Sequence, residues 1–322
     1  MPVGGGLVSV IDGADVALSS LDPLDKVGDG GQGEVRTLAG WPGLLYKSYR
    51  EPHRVAGDSL TALVLVRLGL RADERDRLDA STAWPLCRVV DAGRVTGFLM
   101  NEAPASMRWA TGDGSTKLTE LAFLLRPGKA AWQGVVQPSP AERLALVVAL
   151  VELVDRLHAT GLVFGDLSEA NVLWTVRPAP AVHLIDCDGA RLVGAEPVLA
   201  QAETPDWSDP LAPAGAATVD SDRYKVALAV GRILAQDAYA APGRPLDPLP
   251  GVLDGRREEA VRGLYEKAAG GHGTRPDLGQ WRIALAGRRQ IALEAGRPRE
   301  RPVLDPRKFD GPRRRGSIRL RD

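Results

Sequence analysis

Three polar residues that could do chemistry, Asp166, Asn171 and Asp186, stand at the ends of short apolar segments between Leu162 and Asp188. Two acids and an amide in buried surroundings are costly to desolvate unless they bind a ligand. Phosphoryl transfer needs one carboxylate that orients the attacking hydroxyl and accepts its proton, and hard oxygen ligands for the magnesium that bridges the phosphates. The arrangement could therefore supply one base and two metal ligands; alternatively, Asp166 could cap a turn and Asp186 could lie in a surface loop.

A glycine-rich turn near the start of the chain could hold phosphates. Gly28, Gly30, Gly33 and Val35 form the pattern GxGxxGxV, and backbone N–H groups can approach a polyphosphate closely where side chains are absent. Because the turn leads into a strand and not a helix, it favours a β-hairpin lid over a dinucleotide fold. Lys47, predicted to end the next apolar strand, can reach the same cleft. Taken alone, the turn could be a plain loop and the lysine an exposed one.

Composition limits the classes of partner and compartment. The chain has 322 residues, of which 44% are apolar, enough for a large core. Its 41 basic and 41 acidic side chains cancel, so net charge indicates neither nucleic acid nor an anionic membrane as a partner. Cys87 and Cys187 are too few for a disulfide framework or a cysteine zinc site. The start lacks a basic segment followed by an apolar run, and the longest apolar run, Leu144 to Val151, is too short to cross a bilayer, so we expect a cytoplasmic protein.

The elements that position these residues fall into two groups. Up to residue 101 the pattern predicts a small sheet and one helix, from Gly57 to Leu70, whose apolar residues recur at helical spacing. Beyond it the chain reads as helical. A capping box at Ser139 opens a central helix that runs to Gly161, and further helices are predicted from Ser221 or Asp222, over 257–269 and over 278–286.

Over roughly residues 22–286 the chain resembles the protein kinase superfamily. The glycine turn, Lys47, Asp166, Asn171 and Asp186 follow one another in the family's order and at plausible spacing. Segments such as GDLSEANVL, LIDCDG and SDRYKVAL look like an atypical bacterial branch of the Ser/Thr kinases. The resemblance implies an α+β, bilobal protein-kinase-like fold, with a small β-sheet N-lobe carrying one helix and a mainly helical C-lobe.

The same resemblance implies the domain limits, ligands and partners. We expect an N-terminal extension (1–21), an N-lobe (22–101), a C-lobe (102–286) and a basic tail (287–322). The implied activity is transfer of the γ-phosphoryl group of ATP to protein hydroxyls, with Mg²⁺ or alternatively Mn²⁺. The protein substrate is left unspecified, with autophosphorylation as one alternative. Some members of the branch work beside a cognate phosphatase and a von Willebrand-type partner; no nucleic-acid or membrane partner is expected. The resemblance assigns catalysis to Asp166, as the base, together with Lys47 and Asn171, and metal binding to Asn171 and Asp186. The implied nucleotide-binding residues are Gly28, Gly30, Gly31, Gly33, Val35, Lys47, Met100, Asn101 and Ala103.

The catalytic loop departs from the family pattern. Phe164-Gly165 replaces the usual His-Arg, which removes the arginine that binds a phosphorylated activation loop. Ser168 replaces the usual lysine, so another side chain or the metal has to compensate for one contact to the transferred group. Asp-Cys-Asp replaces Asp-Phe-Gly, which leaves Asp186 and Asp188 as alternative metal ligands, with Asp186 favoured by the strand that leads into it.

Two expected ion pairs lack their usual acid. The helix from Gly57 to Leu70 contains no glutamate for Lys47, and Glu74, beyond its end, is the nearest candidate. Leu211 stands where the family has the glutamate that pairs with the arginine at Arg275, so Arg275 is expected to lose its buried partner.

Two other functions stay open. The departures above would suit a nucleotide-binding pseudokinase scaffold, although such a scaffold has no chemical need for all three polar residues. The GDL and ID motifs also occur in small-molecule phosphotransferases of the aminoglycoside-kinase type, but Thr204 to Pro210 and Arg275-Pro276 resemble the protein-kinase C-lobe. In the tail, which carries 12 basic and 5 acidic residues from Arg288 onward, Ser317 follows a run of arginines. It could be an autophosphorylation site, part of an inhibitory pseudosubstrate, or part of a solvated segment.

Overall fold

The N-terminal third of the protein is one six-stranded sheet accompanied by two helices. The computed structural model describes residues 13–200, 204–213 and 217–287. The sheet order is β1-β5-β6-β4-β3-β2, in which β1 runs parallel to β5 and all other neighbours are antiparallel. The elements are β1 (Asp15–Ala17), β2 (Pro23–Asp29), β3 (Gly33–Leu38), β4 (Leu44–Tyr49), α1 (Gly57–Gly69), α2 (Ala72–Ser81), β5 (Cys87–Asp91) and β6 (Arg94–Asn101).

Three features of this part correct the sequence-based expectations. Strand β1 lies in the stretch predicted as an N-terminal extension, so the sheet begins earlier than residue 22. Lys47 does not end its strand, because β4 continues to Tyr49. The helix from Gly57 is confirmed to within one residue, but a second helix, α2, follows it, so one helix was too few.

Helix α2 has too few apolar residues to be recognised by periodicity. Leu78 is its one buried side chain, and the rest of the helix is mostly charged. Its first turn is closed by Glu74, which accepts a hydrogen bond from the Arg71 backbone. Arg67 of α1 donates two hydrogen bonds to Asp79 of α2, one of them 2.7 Å long. Polar contacts with residues outside the helix therefore do much to hold α2 in place.

The remaining described residues form a second part, called here the helical part, which contains four α-helices and three two-stranded sheets. These pair β7 with β8, β9 with β12, and β10 with β11. The mixed α+β class is therefore confirmed. The elements are β7 (Arg108–Ala110), β8 (Thr116–Leu118), α3 (Pro140–Ala159), β9 (Leu162–Val163), β10 (Val172–Thr175), β11 (Ala181–Leu184), β12 (Arg191–Leu192), α4 (Val219–Ala235), α5 (Gly255–Lys267) and α6 (Leu278–Ala286).

Local signals account for the ends of the long helices. Ser139 and Glu142 form the predicted capping box, each side chain bonding the other's backbone N–H, so α3 begins at Pro140 as expected. Helix α4 begins two or three residues earlier than predicted because Thr218 caps it and accepts a hydrogen bond from the Ser221 backbone. Along α4 almost every side chain is buried, including acids and bases, which makes it the central element of this part.

The segment between β6 and α3 was predicted to be helical, and this prediction is wrong. Residues 105–138 form the β7–β8 hairpin and short 3₁₀ turns. Within the described residues, no helix is long and apolar enough to cross a membrane. The predicted tail, including Ser317, lies outside the described residues except for Gly287. All of the described residues belong to one compact unit that ends at Gly287.

Arg275 has a buried partner, contrary to the sequence-based expectation. Its guanidinium donates two hydrogen bonds to the carboxylate of Asp209, one of them 2.6 Å long, and both side chains are fully buried. Asp220 lies 3.1 Å away as a second acid. Asp209 precedes Pro210 in the chain, whereas the family pattern has its acid after the proline. Comparison with the family at Leu211 therefore missed Asp209.

Buried His183 predicts a dependence of stability on pH. It lies on β11, its Nδ1 is 3.2 Å from the Ala80 carbonyl oxygen, and burial lowers its pKa from 6.5 to about 4. The unfolded chain therefore binds the proton first as pH falls, so stability is complete above about pH 6.5 and declines toward pH 4. Between pH 7.5 and 5 we expect this one residue to cost about 2 kcal/mol of the free energy of unfolding.

Urea denaturation at the two pH values checks this expectation. His183→Gln should reduce the loss between pH 7.5 and 5 by about 2 kcal/mol, since glutamine does not titrate. The matched control, His53→Gln, changes an exposed histidine and should leave the loss unchanged. An equal loss in wild type and His183→Gln would contradict the assignment.

Candidate functional site

A cleft of about 600 Å³ lies between the sheet and the helical part. Its volume is within the range of small-molecule sites, roughly 300–1,000 Å³. The acids Asp166, Asp186 and Asp188 stand on its wall. Every residue that the kinase resemblance assigned to the nucleotide also lines it: Gly28, Gly30, Gly31, Gly33, Val35, Lys47, Met100, Asn101 and Ala103.

The glycine turn between β2 and β3 has two kinds of glycine. Gly33 is required by packing, because a Cβ there would lie 2.3 Å from the Ser48 carbonyl oxygen of β4. At Gly31 a Cβ would meet no atom within 4 Å. The turn is closed by a hydrogen bond of 2.9 Å from the Gly30 N–H to the Gly33 carbonyl. Backbone N–H groups next to open space suit the close approach of an anionic ligand.

Lys47 of β4 is the cation of the cleft. It is 5% exposed, and its Nζ lies 2.7 Å from Asp188 Oδ1 and 3.4 Å from Asp186 Oδ1. Burial alone would lower the pKa of Lys47, but the charges of Asp188 and Asp186 outweigh it and the pKa is raised. Gly97 of β6 fits tightly beside this residue, since a Cβ there would lie 2.1 Å from the Lys47 carbonyl oxygen.

The acidic partner of Lys47 is Asp188, not the predicted candidate Glu74. Glu74 pairs instead with Arg71 at the start of α2. Tyr49, two residues after Lys47 on the same strand, donates a hydrogen bond of 3.1 Å to the other oxygen of Asp188. Burial, reinforced by the Asp188 charge, raises the pKa of Tyr49 well above its usual value, so the phenol remains a donor.

Asp186 and Asp188 therefore have different surroundings. The Asp188 carboxylate is buried and accepts hydrogen bonds on both oxygens. The Asp186 side chain is 54% exposed toward the cleft, and its backbone is left-handed, with φ of 54°. A positive φ is uncommon for residues other than glycine and is better tolerated by Asp and Asn. Of the two acids, Asp186 is the one free to take a ligand from the cleft.

Asp166 and Asn171 form one hydrogen-bonded unit on the loop between β9 and β10. The Asn171 amide nitrogen donates to the backbone carbonyl and to Oδ2 of Asp166, both at 2.8 Å. Thr204 Oγ1 lies 3.4 Å from Asp166 Oδ1. Burial raises the pKa of Asp166, while the charge of Lys225 and the Asn171 hydrogen bond act in the opposite direction. Because the amide nitrogen faces Asp166, the amide oxygen of Asn171 is left for another partner.

Helix α4 fixes the backbone just before Asp166. Asp222, 1% exposed, accepts hydrogen bonds from the N–H groups of Phe164 at 2.7 Å and Gly165 at 2.9 Å. His158 Nε2 lies 3.1 Å from the same carboxylate. Lys225, one turn further along α4, donates to the Gly165 carbonyl at 2.7 Å. Three backbone groups of this loop are thus held by one turn of helix.

Sequence reasoning missed three residues of this site. Asp188 was considered only as a metal ligand, and Tyr49 and Lys225 were not considered at all. Tyr49 could have been found from strand alternation, because residues i and i+2 share a face. Lys225 could have been found from its position three residues after Asp222, on the same side of the helix.

The donor set fits a cation that shares its shell with a ligand. Among the described residues, no group of three or more His, Cys, Asp or Glu side chains could hold a metal ion. Asn171 and Asp186 offer two oxygen donors, and Mg²⁺ is commonly bound by one or two protein carboxylates together with phosphates and water. No model of a known protein family matches the chain, and a search of curated proteins gave no match.

Proposed function

We propose that this chain is an ATP- and magnesium-dependent protein kinase with a bilobal kinase-like fold, which phosphorylates serine or threonine hydroxyls. The observation that carries the proposal is one cleft lined by a glycine turn, a buried lysine, an exposed Asp186 and Asp166, to which Asn171 is hydrogen-bonded. Each of these supplies something that phosphoryl transfer needs: an anion cradle, a cation, a base and metal ligands.

The roles follow from the surroundings of each group. Asp166 would orient the acceptor hydroxyl and accept its proton, with its carboxylate held by Asn171. The Asn171 amide oxygen and the Asp186 carboxylate would hold Mg²⁺, which when bound offsets the negative charge that develops on the phosphates. Lys47 and the backbone of the glycine turn would hold phosphate oxygens, and residues 100–103 would line the adenine pocket. Lys47 stays charged in this role because Asp188 is beside it.

The test is phosphosite mapping after incubation with Mg-ATP. Wild type and Asp166→Asn are compared on self and on casein as a generic acceptor, with mass spectrometry locating new phosphate groups. Asparagine has nearly the same shape as aspartate but does not accept the proton, so transfer should depend on Asp166 while circular dichroism stays unchanged. If the wild-type protein transfers no more phosphate than Asp166→Asn does, the proposal is overturned. ATP binding without turnover would then favour a scaffold, and turnover of a small hydroxylated compound would favour a small-molecule phosphotransferase.

A further inference from the structure

Lys225 is a buried cation for which the described part of the chain offers no ion-pair partner. It lies in the middle of α4, is 4% exposed, and donates one hydrogen bond, to the Gly165 carbonyl. Among the residues that the structure describes, Lys225 forms no salt bridge. Burying an ammonium group without a counter-charge is expensive, so its presence here calls for a compensating interaction.

The hydrogen bond to Gly165 connects Lys225 to Asp166, the next residue in the chain. The positive charge of Lys225 acts on Asp166 in the direction that favours the carboxylate. Lys225 is not on the wall of the cleft, whereas Asp166 is. The ammonium group therefore reaches the Gly165 carbonyl from the buried side of the loop.

No cation comes from the loop itself. Ser168, two residues after Asp166, is fully buried, and its hydroxyl has no hydrogen-bond partner among the described residues. The Lys47 ammonium is paired with Asp188 and Asp186. Lys225 is instead bonded to the residue directly before Asp166.

Helix α4 then holds both backbone polar groups of Gly165, which belong to two successive peptide units. Asp222 accepts from the N–H of Gly165, and Lys225 donates to the carbonyl of the same residue. With its N–H and its C=O both fixed, Gly165 sets the direction in which the chain enters Asp166. Gly165 has φ of 80°, a conformation that favours glycine and that these two contacts hold in place.

We propose that Lys225 is a positioning residue for phosphoryl transfer: it fixes the Gly165 carbonyl and supplies, from the buried side of the loop, a positive charge that favours the Asp166 carboxylate. This inference rests on the proposed function. It identifies the side chain that replaces a cation missing from the loop at Ser168.

Three substitutions separate the charge of Lys225 from its hydrogen bond. Lys225→Arg keeps both, Lys225→Gln keeps a donor without the charge, and Lys225→Met keeps only the length. We expect Lys225→Gln and Lys225→Met each to lower kcat by about 10- to 100-fold with KM for ATP changed less than about threefold, and Lys225→Arg to retain most of kcat. Initial rates with casein at saturating Mg-ATP give both constants, and calorimetry with a non-hydrolysable ATP analogue gives binding.

The matched control is Arg143→Met. Arg143 is another buried cation that bonds only backbone carbonyls, those of Leu124 and Ile233, away from the cleft. The kcat of Arg143→Met should stay near that of wild type even if its melting temperature falls.

If Lys225→Gln keeps the wild-type kcat, or if Lys225→Arg loses as much kcat as Lys225→Met, Lys225 has no positioning role. Should Lys225→Met fail to fold, Lys225→Gln and Lys225→Arg still decide. Absence of transfer by wild type would overturn the proposed function together with this inference, whereas wild-type turnover with an unaffected Lys225→Gln overturns this inference alone.

Discussion

Asp188→Asn is expected to lower the free energy of unfolding by about 2–3 kcal/mol and to slow phosphoryl transfer by about 100-fold or more. The substitution leaves the buried ammonium of Lys47 with only Asp186, at 3.4 Å, as a charge partner. Removing one member of a buried ion pair costs about 3–5 kcal/mol, and the remaining contact to Asp186 reduces that cost here. Without Asp188 the lysine is no longer held at the point where it would meet the phosphates.

Asp186→Asn should behave differently, because Asp186 is exposed and carries the proposed metal contact. We expect its free energy of unfolding to stay within about 0.5 kcal/mol of wild type. Its loss of activity should appear as a higher Mg²⁺ concentration needed for half-maximal rate. Urea denaturation in the absence of nucleotide and a Mg²⁺ titration of the rate provide the two measurements.

Tyr49→Phe serves as the matched control for Asp188. It removes the hydrogen bond of 3.1 Å to Asp188 without changing any charge, so it should cost about 1 kcal/mol and little activity. If Asp186→Asn lowered the free energy of unfolding while Asp188→Asn did not, the roles assigned to the two acids would have to be exchanged. In that case Asp188 would be the metal ligand and Asp186 the partner of Lys47.

The second large effect is expected at the Arg275–Asp209 pair. Asp209→Asn should lower the free energy of unfolding by about 3 kcal/mol, because the guanidinium of Arg275 is fully buried and would keep only Asp220 at 3.1 Å. The Tyr224 ring, 4.8 Å from the guanidinium carbon, adds only a weak cation–π contact. Urea denaturation followed by circular dichroism measures the change.

Arg282→Ala is the control for this pair. Arg282 and Asp155 form a salt bridge of 2.8 Å whose side chains are 52% and 30% exposed. Solvent screening limits such a pair to less than about 1 kcal/mol. If Asp209→Asn lowers the free energy of unfolding by no more than Arg282→Ala does, burial of the Arg275–Asp209 pair adds nothing to stability.

Local signals made much of the cleft predictable. A glycine turn and a capping box each act over a few residues, so Gly33 and Ser139 were placed correctly. The three polar residues Asp166, Asn171 and Asp186 were also predicted to lie together, and the structure brings them into one region. In each of these cases the physical cause lies within the segment that carries the signal.

The missed features depend on contacts between distant residues. Lys47 and Asp188 are 141 residues apart, and Arg275 and Asp209 are 66 apart, so no spacing rule connects them. Helix α2 escaped notice because its stability comes from polar contacts such as Arg67 with Asp79, not from an apolar stripe. Family position located neither the partner of Lys47 nor that of Arg275, since any acid of suitable reach can satisfy a buried cation.

The Lys47–Asp188 pair joins strand β4 directly to the turn that follows β11, with no helix between them. Where a helix carries the partner of such a lysine, tilting that helix can switch a site on and off. Helices α1 and α2 hold no partner for Lys47 in this protein, so displacing them would leave its charge neutralised. An allosteric signal that separates Lys47 from its charge partner would have to displace the turn itself, which comprises Ile185 to Gly189.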